Sequence, residues 1–302
     1  MTKTTKIPMH FAEELKERLI RKNPDIKVEI VKSLKNNGVT LVGISISKEE
    51  EQVIPSIYLE SYYEKYLNGK PMESIVQELL CIYEKCKVES PVMEDELIGF
   101  EKVKQNIYYK LVNYKKNKEQ LKSLPYIPYQ DLAVVFCILV SKGETGMASI
   151  PVNKKLMRLW GMDRAEELFE IASANTQRLF APNIQHMGRF IQELENPFEY
   201  EEAQENEMEV YIATNCSCVN GASVILYENL LQEFARKVQR DFFVLPSSIH
   251  EMLFLPISEY MELDELKGMV CGANQMVVSE EEILSDSVYR YYADQGCLKV
   301  VA

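Results

Sequence analysis

Histidine, glycine and tryptophan are scarce: three His, 12 Gly and a single Trp in 302 residues. With only His10, His186 and His250, and no H-E-x-x-H or paired C-x-x-C spacing, a zinc site would have to recruit scattered ligands, so no metal is expected. Neither G-x-x-x-x-G-K-S/T nor G-x-G-x-x-G occurs. Without those loops there are no backbone N–H groups arranged to cradle phosphate, and no nucleotide or other cofactor is expected. The G-x-S-x-G nucleophile elbow is missing too.

No apolar run approaches the roughly 20 residues that cross a bilayer. The polar opening MTKTTKIPMHFAEELKERL also lacks the apolar stretch of a signal peptide, so a cytoplasmic location is expected. Cationic residues are outnumbered, 34 Lys and Arg against 46 Asp and Glu, for a formal charge of −12. That balance repels a phosphate backbone and disfavours nucleic acid and anionic membrane as partners. The seven cysteines are odd in number and several lie within apolar runs, so free thiols are expected rather than disulfides.

What remains is an ordinary folded composition, 46% apolar and 26% charged, long enough for one large or two modest domains. FAEELKERLIRK reads as an amphipathic helix. VEIVKSLKNNGVTLVGISI then reads as a hairpin around Asn37-Gly38, because Asn-Gly supplies the positive φ angles of tight turns. VIPSIYLE is a third extended piece, followed by helices in SYYEKYLNG and MESIVQELLCIYEKCK. Residues 101–122 hold seven lysines and three tyrosines at helical spacing, and Pro125 and Pro128 end the run. The first boundary is set there, giving modules 1–124 and 125–302.

In the second module LAVVFCILV and MASIPV read as strands, with helices in NKKLMRLWGM and RAEELFEIASANTQRLF. Shifted by 74 positions, ASVILYENLLQEF (222–234) lies over ASIPVNKKLMRLW (148–160), suggesting two related strand–turn–strand–helix units at about 131–180 and 208–240. An acidic stretch, 193–209, lies between them and reads as a loop. ELDELKGMVCGANQ reads as a helix, SEEEILS as a short helix capped by Ser279, and SVYRYYADQGCLKVV as a final hairpin. Tight turns between strands imply antiparallel sheets, and the interspersed helices imply one covered face. The expected class is α+β.

KNNGVTLVGISI, PSIYLESYYEKYLNGK, NGASVILY, LPSSIHEMLFLP and EEILSDSVYRY together resemble an uncharacterised domain-of-unknown-function family frequent in gut-dwelling Firmicutes, across essentially the whole chain. ASIPVNKKLMRLWGMDRAEELFEIA is similar to a second uncharacterised family of Bacillus-type bacteria. The resemblance implies a bacterial cytosolic setting and no activity, cofactor or catalytic residue.

LPSSIHE concentrates the polar candidates: Ser247, Ser248, His250 and Glu251. In an extended segment Ser248 and His250 share a face with Cα atoms about 6.6 Å apart, so a hydroxyl–imidazole contact is conceivable. Nucleophilic catalysis further requires a carboxylate orienting the base and donors facing an oxyanion, and Glu251 points away from His250 in a strand. If the chain bends instead, Ser248 and Glu251 fit the S-x-x-E capping box, each satisfying an orphan backbone donor. Cys216 and Cys218 read as core packing beside a turn. Lys102, Lys110, Lys115, Lys116 and Lys118 form a possible interaction surface, which could contact nucleic acid despite the acidic whole. The functional expectation is a non-enzymatic interaction or regulatory protein that binds a protein or peptide partner. The alternative is a hydrolase or transferase using Ser247 or Ser248 with His250.

Overall fold

The computed structural model describes residues 7–47, 56–86, 99–143, 146–189, 209–259 and 261–302. The chain forms two compact units, one within residues 2–102 and one spanning 103–302. The division falls at 102/103 rather than at 124/125, because residues 107–113 pair along their whole length with residues 132–138. The fold is α+β and its strand pairs are antiparallel.

The N-terminal unit runs α1 (Met9–Lys22), β1 (Lys27–Leu34), β2 (Thr40–Ser47), β3 (Ser56–Tyr58), α2 (Glu60–Leu67) and α3 (Met72–Cys86). Phe11, Ala12, Leu15 and Leu19 recur every three or four residues, so they form one stripe of α1, and all four are buried. The stripe shares a core with Val28, Ile44 and Ile46 of the sheet and with Ile75, Val76 and Leu79 of α3. Full burial of each large side chain there contributes about 1.5–3 kcal/mol. The β1–β2 reversal occurs at Asn37 (φ 60°) and Gly38 (φ 75°), the positive angles that the Asn-Gly pair predicts.

The C-terminal unit carries β4 (Ile107–Asn113), β5 (Tyr126–Tyr129), β6 (Leu132–Gly143), β7 (Gly146–Pro151), α4 (Lys154–Leu159) and α5 (Ala165–Leu179). Then come β8 (Pro182–His186), β9 (Tyr211–Asn215), α6 (Leu230–Val238), β10 (Phe242–Pro246), β11 (Met252–Pro256), α7 (Leu263–Met276), β12 (Tyr289–Tyr292) and β13 (Cys297–Val300). β6 is flanked by β4 on one side and by β5 and β7 in succession on the other. The second sheet has the order β13-β12-β10-β11-β9-β8.

Two faces of that second sheet are covered, not one. Phe242 and Phe254 meet Phe234 of α6, with ring centroids 4.8 and 5.1 Å away. The alternate residues Phe243, Leu245 and Leu255 pack with Leu266 and Val270 of α7. Continuous apolar runs such as FFVL and LFL are the sequence mark of strands buried on both sides.

Residues 101–122 are not one helix. Single helical turns at Phe100–Val103 and Lys118–Leu121 bracket the strand β4, in which every residue but Lys110 is buried. Branched and aromatic side chains there pack against β6 and α5, and that tertiary burial overrides the lysine spacing. The five lysines therefore share no helical face: Lys110 is half-buried in β4, Lys115 and Lys116 are exposed on a turn, and Lys102 and Lys118 are exposed on the two flanking helical turns. Nor is a duplication seen. Residues 148–151 are strand, whereas their counterparts at 222–225 form a buried 3-10 turn (Gly221–Leu226) leading into α6. The segment SEEEILS forms a turn, and among the described residues the Ser279 hydroxyl has no hydrogen-bond partner. Of the acidic stretch 193–209, all but Glu209 lies outside the described residues.

Candidate functional site

LPSSIHE is the connection of the β10–β11 hairpin, closed by the Pro246–Met252 pair. Five residues span the reversal, and their polar atoms bond mainly to the local main chain. The N–H groups of Ser247 and Ser248 both donate to the Glu251 carbonyl, at 3.3 Å. His250 N–H donates to Ser248 Oγ at 3.0 Å, the two-residue return that serine hydroxyls make in turns. Ser247 Oγ donates to Glu251 Oε1 at 2.8 Å. No helix follows, so the Ser248–Glu251 capping box does not form; Ser247 takes the Glu251 carboxylate instead.

Three other segments converge on this loop. Thr214 Oγ1 donates to the His250 carbonyl at 2.8 Å, and Ala222 N–H donates to the Ile249 carbonyl at 3.2 Å. Ile249 N–H donates to the Glu282 carbonyl at 2.8 Å. The imidazole has a polar neighbour at each nitrogen. Asn220 N–H donates to His250 Nδ1 at 3.2 Å, and Nε2 lies 3.4 Å from Glu282 Oε1. A base must keep a free lone pair facing its nucleophile. Here that lone pair accepts from the backbone, and among the described residues neither serine hydroxyl is bonded to the ring. The structure thus brings Ser247 to Glu251 and the His250 ring near Glu282, and among the described residues bonds neither serine hydroxyl to the imidazole.

Gly221 makes this convergence possible. A Cβ there would overlap Thr214 Oγ1 and the His250 carbonyl oxygen and stand 2.9 Å from Asn215 N. The Asn220-Gly221 pair is itself a local turn signal, whereas no sequence spacing points to Thr214 or Glu282 as neighbours of this loop.

A second polar centre lies around Asp131. Tyr289 O–H donates to Asp131 Oδ1 at 2.5 Å, while Ser285 and Ser287 hydroxyls donate to Oδ2 at 2.5 and 3.1 Å. Burial, and then the Asp131 carboxylate, hold the Tyr289 phenol far above its ordinary range, keeping it a donor. Ser285 Oγ also accepts from Ser287 N–H at 2.8 Å, the two-residue return that serine hydroxyls make in turns. Asp286 accepts from Asn274, and Arg290 pairs with Asp241 at 2.7 Å. These contacts hold the segment before β12 in place.

The C-terminal unit also carries a hollow of 390 Å³, lined by Tyr129, Leu226, Tyr227, Gln232, Tyr291 and Leu298 among others. It is open to solvent and lies within the ordinary range of ligand-binding clefts. Tyr227 is fixed by donating to the Phe180 carbonyl at 2.7 Å, and the edge of β13 is held by Gln130, which donates to the Leu298 carbonyl at 2.9 Å. Burial, then Cys297, push the Tyr129 phenol up to about 12. None of its lining residues carries a charged side chain. Among the described residues no group of three His, Cys, Asp or Glu side chains could hold a metal ion, and no helix is long and apolar enough to cross a membrane.

Cys216 and Cys218 are both exposed, which corrects their reading as core residues. The turn they occupy points the thiols outward, while the neighbouring Asn215 takes the buried position.

A family model described as a family of unknown function (DUF5688) matches residues 9–293. No curated protein and no solved structure matches the chain.

Proposed function

The chain belongs to the DUF5688 family of unknown function, and we propose from its own residues that it is a non-enzymatic interaction or regulatory protein that binds a protein or peptide partner. The setting proposed with it is the bacterial cytosol that the gut-Firmicute resemblance implies. The observation that carries the reading is the 390 Å³ hollow, in which tyrosine rings and leucines surround side-chain amides with no charge. Tyrosine gives a large apolar contact with a polar tip at small entropic cost, and for that reason is enriched at recognition surfaces. An apolar or aromatic side chain of a peptide suits such a hollow. The net charge of −12 favours a peptide that is neutral or basic around that anchor.

Panning a random peptide library on the intact protein, then titrating selected peptides by calorimetry, tests this. Leu226→Glu, a half-buried lining position, is expected to weaken binding about tenfold or more, whereas Ser248→Ala at the hairpin leaves it unchanged. Peptides whose affinity ignores Leu226 and Gln232, or a library yielding no binder, would count against the reading.

A further inference from the structure

Independently of the hollow, the turn after β9 presents two thiols in a fixed arrangement. Asn215, buried at 1% exposure, brackets it: its Oδ1 accepts from Ser217 N–H at 2.9 Å and its Nδ2 donates to the Val219 carbonyl at 2.9 Å. Cys218 N–H donates to the Asn215 carbonyl at 3.0 Å, closing a four-residue β-turn in which Cys216 and Cys218 are the second and fourth members. In such a turn those two Cα atoms lie about 5.5 Å apart, within the range of about 4.4–6.8 Å that disulfides span. Both thiols are exposed and free.

A cation stands beside them. Lys142 Nζ lies 3.9 Å from Cys216 Sγ, and it is not a loose surface lysine: it donates to the Leu179 carbonyl at 3.2 Å and sits 5.1 Å from the centre of the Phe180 ring. On a chain of charge −12, a positioned ammonium beside an accessible sulfur raises the local concentration of anionic reactants.

We infer that Cys216 and Cys218 form an exchange-active dithiol whose substrate is a small anionic disulfide, with Cys216 attacking, Cys218 resolving and Lys142 positioning the substrate. The Cys216 thiolate attacks one sulfur of R–S–S–R, forming a mixed disulfide and expelling RS⁻. The Cys218 thiolate then attacks the Cys216 sulfur, closing the Cys216–Cys218 bond and expelling the second RS⁻. Two electrons pass from the dithiol to the small disulfide, and the two protons given up by the cysteines end on the two RSH products. The turn supplies the effective concentration that makes the second step intramolecular.

Glutathione disulfide is the probe, with peptide mapping by mass spectrometry on the reduced full chain. The wild type is expected to close a Cys216–Cys218 disulfide and release two thiols for each pair. Cys218→Ser is expected to accumulate one glutathione adduct on Cys216, and in Cys216→Ser the remaining Cys218 reacts no faster than exposed Cys81. Lys142→Met should slow the reaction with glutathione disulfide about threefold or more at low salt and leave the rate with cationic cystamine unchanged or faster. Adducts spread evenly over Cys81, Cys216 and Cys297, or a wild-type mixed disulfide that never resolves, would overturn the dithiol. Equal slowing of both probes in Lys142→Met would overturn the role given to the lysine.

Discussion

Tyr289 donates a 2.5 Å hydrogen bond to Asp131, a residue 158 positions earlier in the chain. The bond ties the start of β12 to the turn between β5 and β6, joining the two sheets of the C-terminal unit. With Ser285 and Ser287 on the other oxygen, Asp131 accepts three hydroxyls, and hydrogen bonds to a charged acceptor are the stronger kind.

Asp131→Asn removes that charge and leaves an amide N–H₂ facing hydroxyls, so a loss of about 2–3 kcal/mol is expected in urea unfolding. Tyr289→Phe is expected to lose about 1–2 kcal/mol, and the double variant less than the sum, because both lose one shared bond. Strict additivity would mean the two side chains do not support each other.

Alkaline pH should unfold the protein through its tyrosines. Tyr129 is pushed up to about 12, chiefly by burial, and burial raises Tyr108, Tyr109, Tyr227 and Tyr289 as well. An unfolded tyrosine ionises near 10. Above that pH the unfolded chain has released protons that the folded chain keeps, so stability falls as pH rises. The contribution of Tyr129 is complete below about pH 10 and lost between about 10 and 12. Tyrosinate absorbance should therefore rise in two steps, an exposed group first and the buried group together with unfolding; one smooth titration of all tyrosines near pH 10 without loss of structure would contradict this.

The acid side has a counterpart in Asp241. Burial works to raise its carboxyl, but the Ala293 N–H and the Arg290 guanidinium outweigh it and the net direction is down. Stability from this group is present above the ordinary carboxylate range and is lost as pH falls through the lowered value. Asp241→Asn should flatten that part of the acid unfolding curve, and an unchanged curve would show the pairing contributes nothing.

Gly221→Ala is expected to cost about 3 kcal/mol or more, since the added carbon collides with Thr214 and the His250 carbonyl. Gly268→Ala is the contrast: it is exposed on α7 with open space around it, and helix propensity predicts a gain of about 0.5–1 kcal/mol. Similar midpoint shifts for the two variants would refute the packing role of Gly221.

The local turns could be read from the amino acids because their causes are local. Asn37-Gly38, the reversal before Gly296 and the bend at LPSSIHE each carry the residues that their backbone angles or hydrogen bonds require. Local sequence misleads where distant packing decides. Lysines at helical spacing in 101–122 masked the β-rich run IYYKLVN, which becomes a strand only because β6 is there to pair with it. ASVIL resembles a strand by composition, yet Gly221 wedged beneath His250 turns it into a 3-10 coil. The grip of Glu282 on His250 and of Asp131 on Tyr289 spans too much sequence for any spacing rule to reveal.

Fluorophosphonate labelling of the native protein, mapped to the peptide containing residues 247–251, is the most direct measure of whether this hairpin is a structural corner or a reactive centre. Its hydroxyls and imidazole are committed to Glu251, Asn220 and the backbone, so no adduct is expected on Ser247 or Ser248, in the wild type or in His250→Ala. A stoichiometric adduct on either serine, abolished by His250→Ala in a protein that remains folded, would contradict the account.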